Sequence, residues 1–132
     1  MNALPVRLLP NSDLRRTLEA TLHERVLRAA FVIGGIGSLS QARLRLAGRK
    51  EPKALSGDLE ILTLAGSISI DGAHLHMSLA DANGRVVGGH VAYECLVRTT
   101  AEVLLVLLPE WSFARELDPA TGFRELTIRE MR

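Results

Sequence analysis

The sequence predicts an α+β fold: a single domain over residues 1–132, built from a mainly antiparallel sheet and one long N-terminal helix. Three observations predict it. A chain of 132 residues has the length of one ordinary domain. One N-terminal segment repeats an apolar residue every four positions, which is typical of an amphipathic helix. Most of the remaining chain consists of short apolar runs separated by turn residues, which is typical of antiparallel hairpins.

The N-terminal elements are predicted from capping residues and apolar spacing. Residues 6–9 are a short strand candidate that ends at Pro10. Residues 11–13 carry short polar side chains that can accept hydrogen bonds from the first turn of a helix, so we expect a helix to follow and to continue to about Arg28. His23 lies off the apolar stripe of this helix and is expected in solvent. The core-facing positions are Leu14, Leu18, Leu22 and Val26.

The rest of the chain is predicted as strands joined by short connections. The glycine-rich residues 34–37 are interpreted as a tight turn between strands or as a place of close backbone packing. Residues 49–57 are polar and contain a proline, so they predict a loop, and residues 111–121 predict an irregular segment. The strand candidates are residues 30–36, 41–46, 59–64, 67–70, 74–80, 85–91, 103–108 and 127–129.

Composition limits the classes of function. The single cysteine, Cys95, excludes an internal disulfide and a cysteine-rich zinc knuckle. The sequence shows no signal-peptide pattern and no apolar run long enough to cross a bilayer, so we expect a cytoplasmic protein without a membrane partner. A net charge of +1 does not indicate a dedicated nucleic-acid binder. The chain also shows no nucleophile elbow around a serine, so the sequence leaves catalytic residues unknown.

Two histidines on one predicted strand begin the strongest candidate site. His74 and His76 are two residues apart, so a strand places both on one face, about 6.5 Å apart along the backbone. Leu75, Met77 and Leu79 then form the core-facing side. The two imidazoles are therefore expected on the face turned away from the core.

The turn after this strand decides whether His90 joins the pair. Residues 81–84 read Asp-Ala-Asn-Gly, which favours a three-residue hairpin loop whose glycine is left-handed. In that register His76 lies directly opposite His90. All three imidazoles then share one face of the hairpin.

The alternative is a two-residue turn at residues 83–84, which would place His90 opposite Met77 on the other face. The apolar pattern distinguishes the two registers, because only the three-residue register places Val87 and Val91 in the core. We therefore prefer the three-residue register.

Three imidazoles with an open fourth position are the ligand set of a zinc site that keeps a water or a substrate. The sequence therefore predicts zinc as a cofactor, with His74, His76 and His90 as its ligands. The alternative is three hydrogen-bonded histidines on a polar sheet face. We favour metal binding, because the hairpin partner adds a third ligand to what is otherwise a weak His-x-His pair.

The sequence resembles the prokaryotic branch of the plants-and-prokaryotes-conserved (PPC) domain family over nearly its whole length. The opening block RLLPNSDLRRTLEATLHERVL is similar to that family's first strand and helix. The other blocks that carry the resemblance are AAFVIGGIGSLSQARLRLAG, LEILTLAGSIS, DGAHLHMSLADANGRVVGGHV and TTAEVLLVLLPEWSFARELDPATGFREL.

The resemblance implies an antiparallel α+β fold, assembly as a homotrimer and a bound metal, usually zinc. The family's metal is associated with the His-x-His and Gly-Gly-His blocks, which here hold His74, His76 and His90. In plants the domain occurs beside AT-hook motifs, and a DNA-binding label has spread from there to prokaryotic members. This chain has no Arg-Gly-Arg-Pro motif, so we expect DNA to bind weakly, if at all.

Three functional hypotheses follow from the sequence. The favoured one is a trimeric, metal-binding interaction or regulatory module of unknown process. The second is a zinc-dependent hydrolase or lyase that uses the three histidines. The third is a DNA-binding protein, which would require arginines from three subunits to form one basic surface. The candidate arginines are Arg15, Arg16, Arg43 and Arg45.

Overall fold

The computed structural model describes residues 2–132, in which the chain forms eight strands and one helix. Every strand pair is antiparallel, so the predicted antiparallel α+β fold is confirmed. The elements are β1 (Ala3–Leu8), α1 (Leu14–Glu24), β2 (Ala29–Arg45), β3 (Lys53–Ser69), β4 (Gly72–Ala80), β5 (Val86–Val91), β6 (Leu96–Leu107), β7 (Trp111–Asp118) and β8 (Phe123–Glu130).

Six strands form one curved sheet in the order β1-β6-β2-β3-β4-β5, and β7 and β8 form a separate hairpin. The far end of β2 also pairs with β5, where Leu44 lies opposite Val91 and Arg45 lies opposite His90. Gly89 permits this approach, because a Cβ there would lie 2.9 Å from the Arg45 carbonyl oxygen. The extra pairing closes β2, β3, β4 and β5 around part of the core.

The start of α1 and its core-facing stripe agree with the sequence prediction. The Asp13 carboxylate accepts a hydrogen bond from the Arg16 amide at 3.0 Å, which caps the first turn. Leu14, Leu18 and Leu22 are buried at no more than 2% exposure, in one cluster with the inner face of the sheet. His23 is exposed, as expected.

The predicted continuation of the helix to Arg28, and the burial of Val26, are wrong. The helix is only 11 residues long. The amides of Val26 and Leu27 donate to the carbonyls of His23 and Leu22 at 3.0 and 3.3 Å, which is the bond pair of a Schellman motif. Val26 takes the left-handed position, with φ of 56°, and is 89% exposed. No helix in the described residues is long and apolar enough to cross a bilayer.

Two strands are longer than predicted. β2 joins the candidates 30–36 and 41–46, and β3 joins the candidates 59–64 and 67–70. The turn interpretation of residues 34–37 is therefore wrong, and the close-packing interpretation is confirmed. A Cβ at Gly37 would lie 2.6 Å from the Cα of Ala101 in β6. β3 also begins inside the predicted loop 49–57, at Lys53.

The predicted irregular segment 111–121 is wrong over most of its length, because it forms β7 and pairs with β8. Two backbone hydrogen bonds hold this hairpin against the main sheet. The Ile70 amide donates to the Phe113 carbonyl at 3.2 Å, and the Phe113 amide donates to the Arg28 carbonyl at 3.1 Å. The Phe113 side chain is 2% exposed and meets Phe31 edge to face. The hairpin consequently lies beside the turn that leads into β4.

Candidate metal centre

The β4–β5 hairpin has the three-residue register. The Asp81 amide donates to the Arg85 carbonyl at 2.9 Å, and the Gly84 amide donates to the Asp81 carbonyl at 3.0 Å. Gly84 is left-handed, with φ of 77°. His76 therefore lies directly opposite His90, and the two-residue alternative is wrong.

The register places the apolar residues of both strands in the core, as expected. Leu75, Met77 and Leu79 of β4 are buried, and so is Val91 of β5. Val87 is partly buried and packs against the same cluster. The imidazoles project from the opposite face, so core packing and site formation depend on the same hairpin register.

The three imidazoles converge. One nitrogen from each of His74, His76 and His90 lies within 4.8 Å of the other two. The Nε2 atoms of His74 and His76 are 3.2 Å apart. Two nitrogens bound to one tetrahedral zinc ion lie about 3.3 Å apart, given zinc–nitrogen bonds of about 2.0–2.1 Å. The pair already has the spacing of two ligands of one zinc ion.

Two of the histidines are held in the neutral form. Burial lowers the pKa of His90 from 6.5 to about 4, with a smaller contribution from the positive charge of Arg45. Burial also lowers the pKa of His74, and the guanidinium of Arg115 adds to the effect. Neutral imidazole is the form that binds a metal, so both side chains are ready to act as ligands near neutral pH.

One buried nitrogen of the cluster lacks a hydrogen-bond partner, as a metal ligand would in the absence of its metal. In the described residues, Nδ1 of His90 is buried and has no hydrogen-bond partner. Buried polar atoms are usually satisfied, so this nitrogen is an exception that needs a partner. A metal ion bound by the cluster would supply one. The donor set of three imidazoles suits zinc.

Arg115 controls the tautomer of His74. Its Nη2 lies 2.9 Å from Nδ1 of His74 and donates to Ser67 Oγ at 3.1 Å. A guanidinium only donates, so Nδ1 of His74 accepts and the proton of the neutral ring lies on Nε2, facing His76. Metal binding at Nε2 would require this proton to move to Nδ1, at the cost of the hydrogen bond from Arg115.

His74 and His90 line a cavity of about 410 Å³ between the β4–β5 hairpin and the β7–β8 hairpin. The cavity therefore adjoins two of the three histidines in the cluster. The other lining residues include four arginines, two carboxylates and one aromatic ring, which are Arg15, Arg45, Arg115, Arg124, Asp71, Glu125 and Phe123.

The sequence profile of the Plants and Prokaryotes Conserved (PCC) domain matches residues 1–109 of this chain. The chain belongs to this family. It is the family abbreviated PPC above, so the resemblance seen in the sequence is confirmed. The matched residues include all three histidines and end before β7.

The chain is also similar to two larger proteins. Two Synechococcus proteins named bifunctional protein GlmU are 49% and 50% identical over 99% and 95% of this chain. This chain spans about a fifth of their length, 21% and 20% respectively.

Among solved structures, a hypothetical protein from Salmonella is 36% identical, with a TM-score of 0.93 over 97% of this chain and 93% of that one. A protein from Archaeoglobus fulgidus that is named as metal-containing is 28% identical, with a TM-score of 0.80 over 96% of this chain and 94% of that one. A Bacteroides thetaiotaomicron protein whose name proposes DNA binding is 22% identical, covers 96% of this chain and 91% of that one, and has a TM-score of 0.85, which shows the shared fold alone.

Sequence reasoning found the three histidines of this PPC domain and missed the cavity beside them. Arg115 and Glu125 lie beyond the family match, and Arg115 falls in the predicted irregular segment 111–121. The sequence suggests Arg45 only as a possible DNA contact. No short-range signal could have found them, because Arg115 reaches His74 across 41 residues of chain.

Proposed function

We propose that this PPC domain is a zinc-binding interaction module that assembles as a homotrimer. The observation that carries the metal site is the convergence of ligand nitrogens from His74, His76 and His90 within 4.8 Å. The metal-containing protein from Archaeoglobus fulgidus, at 28% identity, supports the same reading. The role as a module is supported by the GlmU relatives, in which a similar segment makes up about a fifth of a larger protein.

Zinc titration of chelator-treated protein tests the metal site. We expect about one ion per chain by calorimetry, and affinity lower by roughly tenfold or more in the His74→Asn, His76→Asn and His90→Asn variants. His23→Asn is the matched control, because His23 is exposed at the end of α1. Binding that survives all three changes, or that is lost equally in the control, would reject the site.

An exposed apolar patch on the outer face of the sheet supports self-assembly. Its members border two depressions that share Gly34, Gly35 and Ile36. His76 borders one of these depressions, so the patch adjoins the metal site. Contiguous exposed apolar surface of this kind typically marks a protein interface. The patch consists of Ile33, Ile36, Leu62 and Leu104, which are 57%, 55%, 44% and 40% exposed.

The oligomeric state tests this part of the proposal. Light scattering should give three times the 14.4 kDa of one chain. A charge buried in the interface is costly, so Ile33→Asp should dissociate the assembly. Leu117→Asp is the control, because Leu117 is 70% exposed on β7, away from the patch. A monomeric parent protein would reject the trimer.

A zinc-dependent hydrolase or lyase is the second candidate, and one observation favours it. Glu125 and Asp71 line the same cavity as His74 and His90. Zinc in such a site supplies an activated water molecule. Asp71 already accepts a hydrogen bond from the Arg115 amide at 2.8 Å, which leaves Glu125 as the candidate general base.

Turnover measurements distinguish the enzyme from the module. An enzyme should hydrolyse model carboxylate or phosphate esters only when loaded with zinc. Glu125→Gln should then abolish turnover and leave zinc affinity unchanged. Glu116→Gln, on the partner strand, is the control. Absence of turnover with zinc bound would favour the module.

DNA binding is expected to be weak for this chain. Non-specific affinity depends on the number of phosphates neutralised, and the net charge is only +1. Arg43, one of the candidate contacts, is paired with Glu94 at 3.0 Å. Fluorescent-duplex titration at physiological salt tests this expectation. Sub-micromolar affinity that is lost on replacing Arg43 and Arg45 would instead support a DNA-binding protein.

A further inference from the structure

The cavity between the β4–β5 and β7–β8 hairpins carries an excess of positive charge. Four arginines and two carboxylates line it together with His74 and His90. The wall is therefore complementary to an anion, and its volume of about 410 Å³ is that of a site for a small molecule.

Three of the four arginines, Arg45, Arg115 and Arg124, have only neutral hydrogen-bond acceptors. Within residues 2–132, neither Arg45 nor Arg115 forms an ion pair. The Arg45 guanidinium reaches only the Arg49 carbonyl, at a long 3.4 Å. The Arg115 guanidinium donates to Ser67 Oγ and to Nδ1 of His74. Both guanidiniums are thus positioned at the cavity without a compensating carboxylate.

Arg15 and Arg124 are held by other partners. Arg15 pairs with Glu19 at 3.3 Å and lies over the Tyr93 ring. Arg124 donates to the Arg115 carbonyl at 2.9 Å. Arg45 and Arg115 are the two arginines without an ion pair that adjoin the histidines, since Arg45 lies opposite His90 and Arg115 contacts His74. An incoming oxyanion would give each of them a charge-assisted hydrogen bond, which is about twice as strong as a neutral one.

An aromatic side chain borders the same cavity. Phe123, at the start of β8, is 72% exposed although it lines the cavity together with the arginines. An exposed ring beside cationic groups offers a surface for the apolar body of a ligand whose charged end meets the arginines. The combination matches an organic anion better than an inorganic ion.

We propose that this cavity binds a small organic oxyanion, a carboxylate or a phosphate monoester, with its charged group on Arg45 and Arg115 and its apolar body against Phe123. The site adjoins the three histidines and extends the proposed function, but it does not require the metal. Its arginine from β7 and its aromatic ring from β8 lie outside the residues matched by the family profile.

Binding of three probes to the full chain tests the proposal. Benzoate and phenyl phosphate represent the two sources of oxyanion, and benzamide is the neutral control with the same ring. Calorimetry in the presence of a chelator measures the arginine site alone, and repetition with zinc-loaded protein measures any contribution of the metal. We expect benzoate or phenyl phosphate to bind without metal, and benzamide to bind at least roughly tenfold more weakly.

Matched variants locate the site. Arg45→Gln and Arg115→Gln should each lower the affinity for the anion by roughly tenfold or more, because each removes a charge-assisted hydrogen bond. Arg43→Gln, on the same strand as Arg45, and Arg129→Gln, on the same hairpin as Arg115, should bind as the parent does. Arg115→Lys retains the charge and should recover part of the affinity, which separates binding from a folding defect.

Binding of benzoate alone would identify the ligand as a carboxylate, and binding of phenyl phosphate alone would identify it as a phosphate monoester. No binding by either anion, equal binding of benzamide, or binding unaffected by both glutamine variants would overturn it. Anion binding that requires zinc and is unchanged in both arginine variants would also overturn it. Anion binding without any zinc affinity would reject the metal site and leave the oxyanion site standing.

Discussion

Acid should destabilise the metal-free protein through His90. Burial holds the pKa of His90 at about 4 in the folded chain, against 6.5 for an unperturbed imidazole. The unfolded chain therefore takes up a proton as the pH falls below about 6.5, and the folded chain resists until about pH 4. The stability contributed by the neutral ring is complete above this window and is lost as the pH falls through it. The linkage relation gives a loss of about 2 kcal/mol between about pH 7.5 and about pH 5.

Urea unfolding of chelator-treated protein across that pH range measures the effect. Because carboxylates also titrate in acid, the informative quantity is the difference between the parent and His90→Gln. The parent should lose about 2 kcal/mol more than this variant over the interval. His23→Gln, which removes an exposed imidazole, should follow the parent curve. Parallel curves for the parent and His90→Gln would refute the claim that burial keeps His90 neutral.

Three stability predictions follow from packing and capping. Gly66→Ala should lower the free energy of unfolding by about 3 kcal/mol, because a Cβ there would overlap the His74 carbonyl oxygen. Gly34→Ala is the control and should cost far less, since nothing lies within 4 Å of a Cβ at that position. Equal losses in the two variants would contradict the close approach at Gly66. Leu75→Ala should lower the free energy of unfolding in urea by about 3 kcal/mol, because the side chain is fully buried. A loss smaller than that of an exposed leucine would mean that the core rearranges to fill the cavity. Asp13→Ala should lower the stability by about 1–2 kcal/mol and lower the midpoint of thermal unfolding. The Asp13 carboxylate accepts hydrogen bonds from the backbone amides of Arg16 and Glu94 at 3.0 and 2.7 Å. An unchanged midpoint would show that these hydrogen bonds do not stabilise the fold.

Local chemistry in the sequence was sufficient for the histidine hairpin. The Asp-Ala-Asn-Gly turn and the period-two apolar pattern of residues 74–80 specify the register through interactions only a few residues apart. The start of α1 was equally local, since Asp13 caps the Arg16 amide in the first turn of the helix. These predictions succeeded because the deciding contacts lie between near neighbours in sequence.

Two of the failed predictions have different physical origins. Val26 ends the helix in a left-handed conformation that glycine usually adopts, so no residue marked the end. The chain runs straight through residues 34–37 because the absence of a Cβ at Gly37 lets β6 approach, and β6 lies more than sixty residues further along the chain. At Gly37 the conformation depends on a strand from elsewhere in the fold, whereas the hydrogen bonds that end the helix at Val26 are local.

The sequence by itself determined the family, the antiparallel α+β class and the three histidines that share one hairpin face. Tertiary structure alone decided what surrounds them. The β7–β8 hairpin brings Arg115 to His74 across 41 residues, and the closure of β2 on β5 sets Arg45 opposite His90. Periodicity and turn chemistry act over a few residues, whereas the charge and shape of a cavity depend on which distant strands pack against one another. For that reason the ligands of the candidate centre could be predicted from the sequence and its cationic cavity could not.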